Sequence, residues 1–328
     1  MQTVSFFGQQ SSGQVVNGLG QHSGTRCFYS IVYLYIMKSV KLILLLVAIL
    51  IIFSDANCQS YSDLHELKGL SMKVFYSPGN EERATIVAAR CEKAMKYGHS
   101  LVGFTPSVSL FILDPEHWKT YATHPVYGMP HYTDDKRLVI ASEDNDFWKS
   151  FIPPLDKLPV ELAGKVQKAY TTADGTMSMM PFFDLLALHE LGHGFHKQGG
   201  LTMQRLWMQE LFCNIMLHTY IAENEPANLP ALEAFPEMVV ASGTTGYAFT
   251  TLADFEKRYD NMDPKNYGWY QCRLHVAGKN IYNAGGDKTF VKLWKGLKEN
   301  KQKMTDEQFA TFLEKKVNKA VAEVQTDW

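Results

Sequence analysis

The residues with the clearest chemistry in this chain stand in one stretch, Leu188 to Phe195, which reads LHELGHGF. His189 and His193 are four positions apart, so on an α-helix they lie one above the other and both imidazoles can turn toward a single cation. Glu190 then sits beside that point rather than on it. Zinc takes nitrogen, sulfur and oxygen donors in tetrahedral geometry, and a site that works on substrates keeps one of the four positions for water. Two histidines are too few, so a third protein donor must lie downstream. Glu210 is the candidate: in the apolar run Gln204 to Glu223 (QRLWMQELFCNIMLHTYIAE) it is the single acid before the far end. A carboxylate in so apolar a segment costs several kcal/mol unless it is paired or coordinated.

Two helices must hold these groups. Pro181 to Leu188 (PFFDLLAL) has the apolar density of a buried helix leading into His189, and Gly199-Gly200 marks its end. Sixteen residues separate His193 from Glu210. That is room for the first helix to stop and for a second, over Gln204 to Glu223, to pack antiparallel against it. His196 and His218 read as histidines that support the site or face solvent, not as ligands.

HELGH followed by Trp207-Met208-Gln209-Glu210-Leu211-Phe212 resembles the gluzincin zinc peptidases, in which a glutamate on the next core helix completes HExxH. The run is similar to the W-x-x-E-x-F signature of the aminopeptidase N type. The spacer is shorter than in those enzymes and Leu211 stands where glycine is common, so the resemblance is to the gluzincin group and leaves the branch open. It spans about Pro181 to His218. It implies Zn2+ held by His189, His193 and Glu210, with Glu190 as general base for hydrolysis of a peptide or protein substrate. It also implies a hydroxyl or imidazole donor to the oxyanion. Tyr267 and Tyr270, at the start of a helix beginning Asn266-Tyr-Gly-Trp-Tyr-Gln, are the first candidates, ahead of Tyr247 and His275. Asn214, one turn after Glu210, stands where thermolysin-like enzymes hold an acid against a ligand histidine. The segment Tyr127-Gly128-Met129-Pro130-His131-Tyr132 falls where an edge strand binds the substrate backbone, with Gly128, Met129 and His131 as substrate-binding residues. Aminopeptidases carry GxMEN there. The missing glutamate argues against that activity.

The fold class expected is α+β and zincin-like: a small twisted N-terminal sheet with helices over a mostly helical C-terminal lobe, the metal site in the cleft between. Met72 to Tyr76, Val108 to Leu113 and Leu138 to Ser142 read as strands. Glu81 to Lys96 reads as a helix capped by Asn80, with Ile86, Ala89, Cys91 and Ala94 inward. Asp114-Pro115 caps and starts a short helix. Asp144 to Asp156 reads as a polar, proline-bearing connection. Asn224 to Pro236, with three prolines, marks a boundary. Helices follow over Thr251 to Tyr259, Lys265 to Tyr282 and Lys288 to Glu299. A last one opens with the capping box Thr305-x-x-Gln308 and presents Phe309, Phe312, Leu313, Val317 and Val321 on one face.

The chain has 328 residues, 46% of them hydrophobic, with a formal charge of −2 and no basic run, which argues against a nucleic-acid partner. Residues 1–36 are rich in glutamine, glycine and serine and read as a non-native upstream extension. Met37-Lys-Ser-Val-Lys and the apolar core Leu42 to Phe53 have the proportions of a secretory signal peptide ending near residue 58. The expected organisation continues with a linker at 59–70, an N-terminal α/β lobe at 71–175, the active-site helices at 176–223 and a helical lobe at 224–328. The protein is expected to be secreted or periplasmic, touching membrane only through the signal peptide or through a lipid anchor at Cys58. Cys91, Cys213 and Cys272 form no cysteine metal pattern, and Cys213 and Cys272 read as buried small hydrophobes. Two functions fit these features: an exported zinc metallopeptidase, or a non-catalytic relative that uses its zinc-bearing cleft to bind a partner.

Overall fold

Two runs of consecutive apolar residues form the middle of the sheet. Ser109–Leu113 (β3) and Arg137–Ala141 (β5) are parallel neighbours, buried almost throughout, as strands covered on both faces must be. Lys73–Tyr76 (β2) pairs parallel with β3. His65–Leu67 (β1) and His131–Tyr132 (β4) pair antiparallel at the two edges. The order is β1-β2-β3-β5-β4. The computed structural model describes residues 61–152 and 154–328, which belong to a single compact unit beginning at Tyr61. The upstream extension, the signal peptide and Cys58 lie outside the described residues.

Among the described residues thirteen α-helices occur, in chain order α1 (Glu81–Val102), α2 (Pro115–Tyr121), α3 (Asp146–Lys149), α4 (Val160–Tyr170), α5 (Met180–Phe183), α6 (Leu186–Gln198), α7 (Leu206–Asn224), α8 (Leu229–Ala241), α9 (Leu252–Arg258), α10 (Pro264–Gly285), α11 (Asp287–Glu299), α12 (Asp306–Lys316) and α13 (Lys319–Thr326). The protein is thus α+β, with a small mixed sheet on the N-terminal side and a helical C-terminal part. Helix α6 has neighbours on both sides. It packs against α1, β4 and β5, and against α7, which in turn packs on α10.

Several local expectations are corrected. Residues 61–70 are not a free linker, since β1 lies there and completes the sheet. Helix α1 runs on to Val102, and its inward stripe is Ala84, Val87, Ala88, Cys91, Ala94, Met95 and Gly98. Ile86 is 54% exposed. Asn80 occupies the cap position but makes no side-chain cap, because its amide donates to the Ser77 and Pro78 carbonyls instead. The Asp144 to Asp156 connection holds a helical turn, α3. Pro236 lies inside α8, so the proline-rich stretch is largely helical. Tyr170 of α4 donates to the Ala231 carbonyl and accepts from the Phe235 N–H, tying α4 to α8. The capping box opens α12 as expected, but that helix ends at Lys316 and Val321 belongs to α13.

Candidate metal centre

The two helices that carry HExxH and Glu210 run antiparallel at close range. His189 meets Asn214, Gly192 meets Cys213 and His196 meets Phe212, so residue numbers fall on α7 as they rise on α6. Gly192 sets the approach. A Cβ there would stand 2.9 Å from the Cys213 Cα, nearer than two carbons can pack, so any side chain would push the helices apart. Helix α6 ends at Gln198, with Gly200 in the left-handed conformation at φ 68°.

This approach brings the donors together. His189 Nε2 lies 3.1 Å from Glu210 Oε2, and His193 Nε2 lies 3.8 Å from Glu210 Oε1. Both Nδ1 atoms are engaged elsewhere, that of His189 with Asn214 Oδ1 at 2.9 Å and that of His193 with His196 Nε2 at 3.0 Å. The lone pairs left for a cation are therefore on Nε2, the atoms that face Glu210. Glu190 Oε2 is 4.0 Å from His193 Nε2, and the Tyr132 backbone N–H of β4 faces its carboxylate.

Glu210 is fully buried and its charge is met from every side. Tyr259 donates to Oε1 at 2.5 Å, while Gln271 and Tyr267 donate to Oε2 at 2.7 Å and 3.4 Å. Burial disfavours the carboxylate, yet His193, His189 and the Tyr259 hydrogen bond hold it well below the usual range. For His189 burial also works against charge, and the hydrogen bond to Glu210 with the charges of Glu190 and Glu210 outweighs it, raising the imidazole to about 9. His189 and Glu210 thus favour one another's charged forms across 3.1 Å. Burial lowers His193 to about 4 and His196 to about 3, and raises Glu190 to about 7.

A cleft of about 530 Å³ opens over the site, lined by His189, Glu190 and His193, within the size range of small-ligand pockets. One wall is aromatic, with Phe147, Phe151, Phe182, Phe183 and Phe235. Phe183 stacks on the buried Trp148 at 5.0 Å. Met129, Pro130, His131 and Tyr132 line the cleft at β4, one of the two edge strands of the sheet.

The remaining site candidates divide. Met129 and His131 line the cleft, although both ring nitrogens of His131 are engaged with backbone, at Met129 O and Thr123 N. Gly128 does not line it. Its φ is 94°, its carbonyl accepts the Trp148 indole N–H at 2.6 Å, and a Cβ would strike the Asn145 side chain, so it is a packing glycine. Tyr267 is at the site, but its hydroxyl is occupied with Glu210 and Gln271. Tyr270 is turned away. It donates to the Thr251 carbonyl and packs against Phe255 and Trp328. The reason is the position of the stripe: Pro264, Tyr267, Gly268, Gln271, Cys272 and His275 of α10 line the cleft with Tyr267 at one border, and Tyr270 lies about 60° beyond that border at about 100° per residue. Sequence reasoning ranked His275 low and missed Tyr259 and Gln271. The four-residue step from Tyr267 would have found Gln271, whereas Tyr259, in a 3₁₀ turn, carries no such signal.

Cys213 is the other unforeseen neighbour. His189, His193 and Cys213 each offer a donor atom within 4.8 Å of the other two. The thiol is wedged against the α6 backbone at Gly192, and burial, followed by the Glu210 and Glu190 charges, raises it well above its ordinary value. The histidine Nε2 atoms face Glu210. Cys91, Cys213 and Cys272 are all free and buried. Among the described residues no helix is long and apolar enough to cross a membrane. No protein-family model, no curated protein and no solved structure matches this chain.

Proposed function

We propose that this protein is an exported zinc metallopeptidase of gluzincin type, with a zincin-like arrangement of sheet and helices around the cleft. The observation that carries the proposal is the approach of the buried Glu210 carboxylate to His189 Nε2 and His193 Nε2, two histidines that line a cleft together with Glu190. Two imidazoles and a carboxylate suit zinc; His189 Nε2 lies 3.1 Å from one oxygen of Glu210 and His193 Nε2 3.8 Å from the other, against about 3.3–3.6 Å between donors at tetrahedral bonds of about 2.0–2.2 Å. Glu210 also has a reason to be ionised in an apolar helix.

Zinc, when bound, polarises a carbonyl and brings the pKa of water toward neutrality. Glu190 has the matching property. Raised to about 7 by burial, its carboxylate accepts a proton from water at neutral pH and can return it to the amine leaving the cleaved peptide bond. Asn214 holds the His189 Nδ1–H, which keeps Nε2 directed at the cation. The outer edge of β4, beside Glu190, offers backbone groups to an extended peptide, and the aromatic wall takes apolar side chains. The apolar core Leu42 to Phe53 supports export. Glu190→Gln tests the reading: metal should be retained and peptide cleavage lost, whereas an unchanged cleavage rate would remove Glu190 from the mechanism.

A further inference from the structure

The hydrogen bonds between Glu210 and His189 include a closed relay whose direction is fixed by chemistry. An ionised carboxylate only accepts, so the end of Gln271 that lies 2.7 Å from Glu210 Oε2 must be its NH2 group. The same group reaches the Tyr267 hydroxyl at 2.7 Å, using both of its protons. The carbonyl end of Gln271 then accepts from Asn214 Nδ2 at 3.3 Å. That leaves Asn214 Oδ1 for His189 Nδ1 at 2.9 Å. An oxygen facing Nδ1 requires a proton on Nδ1, and the neutral imidazole then has its lone pair on Nε2.

We propose that Gln271 is a positioning residue for metal binding: it transmits the acceptor character of Glu210 through Asn214 and so fixes His189 in the tautomer that offers Nε2 to the cation. The inference rests on the zinc reading above. Glu210 acts twice under it, as a ligand and as the origin of the orientation of another ligand. An amide at 214 can turn either end toward His189, and Gln271 is what denies it the wrong one. A carboxylate at 214 has no wrong end and needs no such guidance.

The test is the zinc dissociation constant, read by competition with a chromophoric chelator, for the wild type, Gln271→Met, Asn214→Asp and the double variant. Gln271→Met is expected to weaken zinc about tenfold or more. In the Asn214→Asp background that cost is expected to fall to about a third or less, because the two sites are coupled through one amide. Equal costs in both backgrounds, or no cost in either, would overturn the proposal. Circular dichroism checks that the methionine variant folds; if it does not, Gln271→Asn, too short to span Glu210 and Asn214, carries the same expectation. A wild type that binds zinc without this pattern sinks the relay alone, whereas a wild type that holds no zinc removes the reading beneath it as well.

Discussion

Zinc uptake by the metal-free protein should release protons in an amount set by the buried ion pair. His189 is raised to about 9, so at pH 7 it is charged in nearly every molecule, and it must shed the Nε2 proton to bind a cation. That contributes about one proton per zinc. Glu190 is raised by burial, so any proton it holds near neutrality adds to the count when a cation draws its charge. His193 is lowered to about 4, is already neutral and adds none. Glu210→Gln removes the partner that holds His189 charged and leaves burial, the largest influence on it, to dominate. Release from His189 at pH 7 should then fall toward zero, and zinc should bind more weakly. Calorimetric titration in two buffers of different ionisation enthalpy measures the number directly. If the wild type releases no proton, or if Glu210→Gln releases as many as the wild type, the ion pair is not the state of the metal-free centre.

Other consequences concern stability. Burial lowers His193, His196, His218 and His275, so below about pH 6.5 the unfolded chain binds protons that the fold refuses. Their contribution is complete above that value and is lost as pH falls, by up to about 1.4 kcal/mol per pH unit for each histidine. Urea melts of the metal-free protein should therefore weaken already between pH 6.5 and 5, and a flat profile there would contradict the burial of these rings. Gly192→Ala places a methyl against the Cys213 backbone and should cost about 1–3 kcal/mol, with weaker zinc binding because α6 and α7 separate; a melting temperature and affinity equal to wild type would refute the close approach. Arg83 bonds both oxygens of Asp184 and the Ala141 carbonyl, joining α1, the end of β5 and the entry to α6. Arg83→Met should cost about 1.5–3 kcal/mol, the range for hydrogen bonds to charged groups, read from the urea midpoint.

The parts of the fold legible in the sequence are those decided by neighbours along the chain. Asp114 before Pro115 and Thr305 before Gln308 satisfy their own helix ends, and both helices begin where those residues say. The strands β2, β3 and β5 announce themselves by apolar β-branched and aromatic runs. Asn80 has the same cap chemistry as Asp114, but nearby carbonyls at Ser77 and Pro78 take its amide. Three residues, His65–Leu67, have no pattern of their own and become β1 through pairing with β2. At the site, the spacing of His189, Glu190, His193 and Glu210 was readable because two helices and a glycine turn bring them together. Gln271 is readable only by the four-residue step from Tyr267; Tyr259, in a 3₁₀ turn, and the aromatic wall are not, since their places depend on how distant segments pack.

Metal analysis of the purified protein, paired with cleavage of a quenched peptide library by wild type and Glu190→Gln, tests the central claim most directly. The proposed peptidase should carry one zinc per chain in both proteins, with cleavage by the wild type and a loss of at least about a hundredfold in the variant. Zinc in both proteins with cleavage by neither would contradict peptidase action and leave the non-catalytic binding cleft; no zinc in either would contradict the metal centre itself.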